Sequence, residues 1–167
     1  YIVLGVCLAT PLGVAGGLLH LFNHMIFKNL AFLCAGALMF STHAHSLHEL
    51  GGIGRKMPFT LLAFACALFA AAGMPLFNGF ASKYVLYYAL IDQGEIVLAV
   101  IAILTSVVTL AYFLKFMHTA FFGQLSPKAA HAKEPGLFMR LPILALAGLC
   151  LLTGLFPGLG QIGRAHV

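Results

Sequence analysis

Leu18-Leu19-His20-Leu21-Phe22-Asn23-His24-Met25-Ile26-Phe27-Lys28-Asn29-Leu30-Ala31-Phe32-Leu33 decides the fold class of this chain. His20, His24 and Lys28 lie four apart, which puts them on one stripe of a helix. The uninterrupted apolar stretch around them runs from Leu12 to Ser41. As one helix it would reach about 45 Å, more than the hydrocarbon core of a bilayer needs. Lys28 falls near its middle and cannot simply snorkel to an interface. A lysine there costs roughly 3 kcal/mol on insertion scales. Such a group persists where protein or water shelters it, and usually because it moves charge.

Composition agrees. The chain is 62% hydrophobic and 8% charged, against about 25% charged for a soluble domain. No soluble surface can be built from so few charges, so a polytopic membrane protein is expected, with the bilayer as solvent. Net charge is +5, and most basic residues fall in short connecting segments. That fits membrane-flanking loops, and no basic run with interleaved aromatics suggests nucleic-acid binding. Cys7, Cys34, Cys66 and Cys150 each stand alone in apolar segments, without CxxC or CxxH pairing. They read as small hydrophobes, so no metal site is expected.

Spans are expected over about 1–10, 12–41, 57–73, 76–91, 96–122 and 141–158, within one transmembrane domain covering 1–161. Continuous apolar runs without period-2 alternation favour an all-α bundle over a barrel. Gly73-Met74-Pro75-Leu76-Phe77-Asn78-Gly79-Phe80 carries Pro75, Asn78 and Gly79, which break a helix, yet Phe59 to Ser82 contains no charge. A broken helix within or near the membrane is therefore expected. If the segment after the break crosses fully by itself, Arg55-Lys56 and the Lys128/Lys133/Arg140 loop fall on opposite faces, and the positive-inside count gives no orientation. Tyr1 opens inside an apolar run, which reads as a start in mid-protein. Ile162-Gly163-Arg164-Ala165-His166-Val167 matches the translation of a common sequencing adapter and is expected to be an assembly artefact.

Lys28 leads the candidates, because a buried amine can exchange a proton near neutral pH. His20 and His24, one and two turns earlier, can pass a proton through either ring nitrogen. Metal or haem ligation by the HxxxH pair, and simple hydrogen bonding inside a bundle, are the competing readings. Lys83 follows the helix break, where open backbone groups tolerate water and ions; otherwise it snorkels from a helix end. Lys115 is a secondary candidate with the same alternative. Thr105, Ser106 and Thr109 either hold water or bond back to their own helix. His43, His45 and His48 read as a solvated loop cluster. No motif for covalent catalysis or nucleotide binding occurs.

Four stretches then carry a family resemblance: HLFNHMIFKNLAFLCAGAL (20–38), LGGIGRKMP (50–58), AAAGMPLFNGFASKYVL (70–86) and MRLPILAL (139–146). In this order they resemble the C-terminal half of the antiporter-like proton-translocating subunits. That family includes the L-, M- and N-type membrane subunits of NADH:quinone oxidoreductase (complex I), membrane subunits of energy-converting hydrogenases, and multisubunit sodium/proton antiporters. The resemblance implies inverted five-helix repeats, each with a broken helix. It matches Lys28 to the family's central channel lysine, His20 and His24 to the histidines before it, and Lys83 to the residue beside the second broken helix. Lys83 points to complex I L-type subunits, while the MRLP run and Glu134-Pro135 point to hydrogenases.

The resemblance further implies a proton-translocating subunit of a redox-driven complex, with protons moving through His20, His24 and Lys28 and leaving by Lys83. No cofactor is expected in this chain; NADH/FMN, quinone, and iron–sulfur or NiFe centres belong to partner subunits. Other membrane subunits, protons and the lipid bilayer are the implied partners, in a prokaryotic cytoplasmic membrane. The alternatives are a sodium/proton antiporter subunit without a redox partner, a structural membrane subunit, and a haem-binding membrane protein.

Overall fold

The computed structural model describes residues 1–156. The adapter-like tail, and the end of the span expected to reach Gly158, lie outside the described residues. Within them the chain forms α1 (Ile2–Cys7), α2 (Pro11–Thr42), α3 (Pro58–Ala72), α4 (Asn78–Asp92), α5 (Ile96–Phe121), α6 (Pro127–Ala130) and α7 (Leu137–Leu155), with two 3₁₀ turns at Leu47–Leu50 and Ile53–Arg55.

Local chemistry sets the bounds of α2. Thr10 Oγ1 accepts from the Gly13 N–H at 3.1 Å, and Pro11 takes the first helical position, where its missing N–H costs nothing. At the other end His43 adopts a left-handed φ of 52° and returns its N–H to Met39 O at 2.8 Å. Between the caps, His20, Asn23, Phe27, Leu30 and Cys34 form a buried stripe.

α2 is the spine of the bundle, and α3 and α4 lie one after the other along it. Cys34 neighbours Cys66, Asn23 meets Asn78, His20 meets Ser82 and Gly16 meets Leu86. Numbers rise along α3 and α4 as they fall along α2, so the pair runs antiparallel to it. This register puts Lys28 level with the segment that separates α3 from α4. That segment, residues 73–77, contains Pro75, while Asn78 and Gly79 form the first turn of α4.

Two close approaches hold the break in place. A Cβ on Gly79 would lie 1.8 Å from Ala70 O, and one on Gly154 of α7 would lie 2.2 Å from Leu76 O. Only glycine lets these backbones touch.

α2, α5 and α7 are each long and apolar enough to cross a bilayer. α5 leaves Val97, Val100, Ile103, Leu104, Val107 and Val108 exposed. A chain this poor in charge cannot leave such a face to water, and the protein is an integral membrane protein.

The connecting loops correct one reading of the sequence. The Gly52 N–H donates to Phe122 O at 3.2 Å and the Ser126 N–H to Gly51 O at 2.9 Å. Arg55-Lys56 and the Lys128/Lys133/Arg140 region therefore share one face instead of lying on opposite faces. The reason is that α3 and α4 succeed each other along α2, which brings the loop before α3 and the loop after α5 to the same end of the bundle. Asp92 and Glu95 lie in the connection at the other end of α4.

On the basic face Glu49 binds three ways. Its Oε2 accepts from the His45 N–H at 3.0 Å and the Ser46 N–H at 3.4 Å, and its Oε1 accepts from Lys128 Nζ at 2.9 Å. The Lys128 ammonium, first, and the backbone donors hold the Glu49 carboxyl below the usual carboxylate range. Glu134, in the loop before α7, caps α3: Oε1 accepts from the Phe59 N–H at 2.7 Å and the Thr60 N–H at 3.2 Å, and Oε2 from Thr60 Oγ1 at 2.9 Å.

Candidate functional site

Breaking a helix leaves its last carbonyls without intrahelical donors. At the end of α3 the orphans include Ala71 O and Ala72 O, and Lys83 supplies them. Its Nζ donates to Ala71 O at 2.8 Å, to Ala72 O at 3.1 Å and to Ser106 Oγ of α5 at 2.8 Å. Lys83 sits one and a half turns into α4, so its side chain folds back across the break towards the negative end of the α3 dipole. The residue is 3% exposed, and no carboxylate pairs with it among the described residues. The snorkelling alternative for Lys83 therefore does not describe it: the amine points into the bundle.

His20 is equally buried, at 3% exposure, and its Nδ1 shares a 2.9 Å hydrogen bond with Ser82 Oγ. Ser82 has one proton, and its hydroxyl donates to Gly79 O at 3.2 Å. The arrangement that makes both bonds has Nδ1 protonated and Nε2 free to accept. The His20 and His24 ring centroids lie 6.1 Å apart. On its other side His20 faces the Tyr1 ring at 5.1 Å, and Lys83 Nζ stands 4.8 Å from the centre of that same ring. His24, His20, Tyr1 and Lys83 thus form one contiguous row.

Lys28 is placed differently from His20. A step of four residues overshoots one helical turn by about 40°, so a row of three such residues winds round the helix. His20 is buried, while His24 and Lys28 are half-buried. Among the described residues Lys28 makes no hydrogen bond or ion pair with a side chain. Lys115 lies on the exposed side of α5, apart from the cluster. Thr105 and Thr109 bond back to Ile101 O and Thr105 O, both at 2.8 Å, whereas Ser106 turns inward. Among the described residues no three His, Cys, Asp or Glu side chains gather as a metal would require.

Four contributors were not singled out from the sequence. Asn23 donates through Nδ2 to the Asn78 carbonyl at 2.9 Å and so ties α2 to the start of α4. Ser82 holds His20, and Tyr1 and Tyr87 reach Ser106. Two of these had a legible signal: Asn23 is three residues after His20, and Tyr87 four after Lys83, the spacings of a shared helix face. Asn78 is fully buried, and its side-chain Nδ2 and Oδ1 have no partner among the described residues.

Residues 1–109 match the family described as NADH:quinone oxidoreductase/Mrp antiporter, TM. The chain belongs to this family. Formate hydrogenlyase subunit 3 of Escherichia coli is 36% identical over 167 residues, covering 91% of this chain and 28% of that protein. Among solved structures, the Mrp complex from Dietzia has a chain that superimposes with a TM-score of 0.87 at 28% identity, over 95% of this chain and 38% of that one. The membrane-bound sulfane sulfur reductase, an archaeal respiratory membrane complex, does so with a TM-score of 0.88, also at 28% identity, over 95% of this chain and 26% of that one. The chain therefore spans well under half the length of these family members. They are antiporter-like membrane subunits of multisubunit complexes, and the all-α bundle with its broken helix is the fold shared with them.

Proposed function

We propose that this chain forms part of a proton path in a membrane subunit of a redox-driven complex, of the complex I or hydrogenase type, in a prokaryotic cytoplasmic membrane. One observation carries the reading. Lys83 is an intramembrane amine with no carboxylate partner among the described residues, held on the open carbonyls of a broken helix and joined to His24 and His20 by a row of aromatic contacts. Intramembrane ionisable groups facing a bundle interior mark ion pathways. The Asn78 amide, without a partner among the described residues, adds support, since leaving a buried polar group unmet costs about 1–3 kcal/mol unless water meets it.

Protons would reach His20 through His24 and Lys28 and leave by Lys83. Redox cofactors would reside in other subunits, coupled to this chain through shifts of charge.

The test is Lys83→Met in the intact protein, assayed for proton transport in membrane vesicles. Transport is expected to be lost while the protein remains in the membrane. Wild-type transport by Lys83→Met at wild-type protein level would refute the path. A sodium requirement for transport in the wild type would instead favour the antiporter alternative.

A further inference from the structure

Ser106 stands where the structure has the most hydroxyl chemistry. Its Oγ lies 2.8 Å from Lys83 Nζ, 2.8 Å from Tyr87 Oη and 2.6 Å from Tyr1 Oη. Tyr1 Oη in turn donates to Ala102 O. The bonds can therefore be ordered without conflict, from Lys83 N–H to Ser106 Oγ, Ser106 O–H to Tyr1 Oη, and Tyr1 O–H to the Ala102 carbonyl.

An ammonium has three donors and no acceptor. Those of Lys83 go to Ala71 O, Ala72 O and Ser106 Oγ. The two carbonyls can only accept, so they can take N–H bonds from either form of the amine but cannot meet the lone pair of the neutral one. Once Nζ loses a proton it carries a lone pair that needs a donor. Of its three partners, Ser106 is the one with a proton to give.

Resting on the reading of Lys83 as a proton carrier, we infer that Ser106 is the group through which Lys83 gains and loses its proton. In release, Oγ takes the proton from Nζ as its own passes to Tyr1 Oη. The Tyr1 proton passes to a water molecule beside the half-buried Tyr1 hydroxyl, at the mouth of the crevice that Tyr1 shares with Thr105. Each hydroxyl ends with one proton, Nζ ends neutral, and the water leaves as hydronium. Ser106 then turns its proton onto the Nζ lone pair, and uptake runs the same steps in reverse. Tyr87 Oη, at bonding distance from both Ser106 and Tyr1, holds the serine oxygen in line.

The experiment compares Ser106→Ala, Ser106→Thr and Lys83→Met in the intact protein, reading proton transport in vesicles against the amount of protein in the membrane. Ser106→Ala is expected to slow transport by about tenfold or more, as loss of a positioned proton-transfer group does. Ser106→Thr, which keeps the hydroxyl, is expected to restore most of the rate. Transport by Ser106→Ala at the wild-type rate would overturn the inference, as would a threonine variant as slow as the alanine one. Lys83→Met separates the two levels. If it is inactive while Ser106→Ala is normal, only the serine relay fails; if it is itself normal, the proton path fails with it.

Discussion

Gly79→Ala places one methyl group at the closest backbone approach in the break. The new Cβ would lie 1.8 Å from Ala70 O and 2.8 Å from Ala70 C. A carbon–oxygen contact settles at about 3.3 Å, so the two backbones must part by about 1.5 Å. The obstacle is main chain and cannot swing aside like a side chain. α4 would have to move off the end of α3, and α4 carries Lys83 and Ser82. Lys83 Nζ now lies 2.8 Å from Ala71 O and Ser82 Oγ 2.9 Å from His20 Nδ1. A shift of about that size takes both beyond the roughly 3.2 Å reach of a hydrogen bond. Each buried group left unmet costs about 1–3 kcal/mol. The assay is proton transport together with thermal unfolding in detergent, with Gly36→Ala as control, because a Cβ on Gly36 meets nothing within 4 Å. Gly79→Ala is expected to melt well below the control and to lose transport. Equal melting and equal transport for the two alanine variants would refute the reasoning that the break depends on this contact.

Two further predictions concern the basic face. Glu134→Ala removes three acceptor bonds from the first turn of α3 and is expected to cost about 1 kcal/mol, the usual loss for a helix cap; an unchanged unfolding temperature would show that the cap is idle. Glu49 has its folded carboxyl pKa lowered by Lys128 and the local backbone, so the stability it lends is present above the ordinary carboxylate range and is lost as pH falls through the lowered value. The unfolding temperatures of wild type and Glu49→Gln should accordingly differ by a small amount at neutral pH and converge well below about pH 4.3; a gap that persists in acid would show that the bond does not depend on charge.

The sequence by itself determined the solvent, the helices and the place of the break. With 8% charge and long apolar runs, only a bilayer can be the surroundings. Thr10-Pro11 starts α2, and the Gly73-to-Phe77 segment stops α3 and restarts the chain at Asn78. These are local effects of dihedral preference and missing donors, and they travel with the residues. His20 and Lys83 could be singled out for the same reason: a polar group in an apolar run is conspicuous wherever it folds.

What the tertiary structure alone decided is which groups touch. Spacing placed His20, His24 and Lys28 on one stripe, but the turn of the helix buries His20 and leaves Lys28 half-buried. Ser106 and Thr105 are neighbours of similar chemistry, and only the packing of α5 against α4 turns Ser106 onto Lys83 while Thr105 bonds to its own helix. The shared face of the two basic loops likewise depends on α3 and α4 running in series along α2. Such facts rest on contacts between residues far apart in the chain, where a rotation of one helix by a single residue exchanges one partner for another.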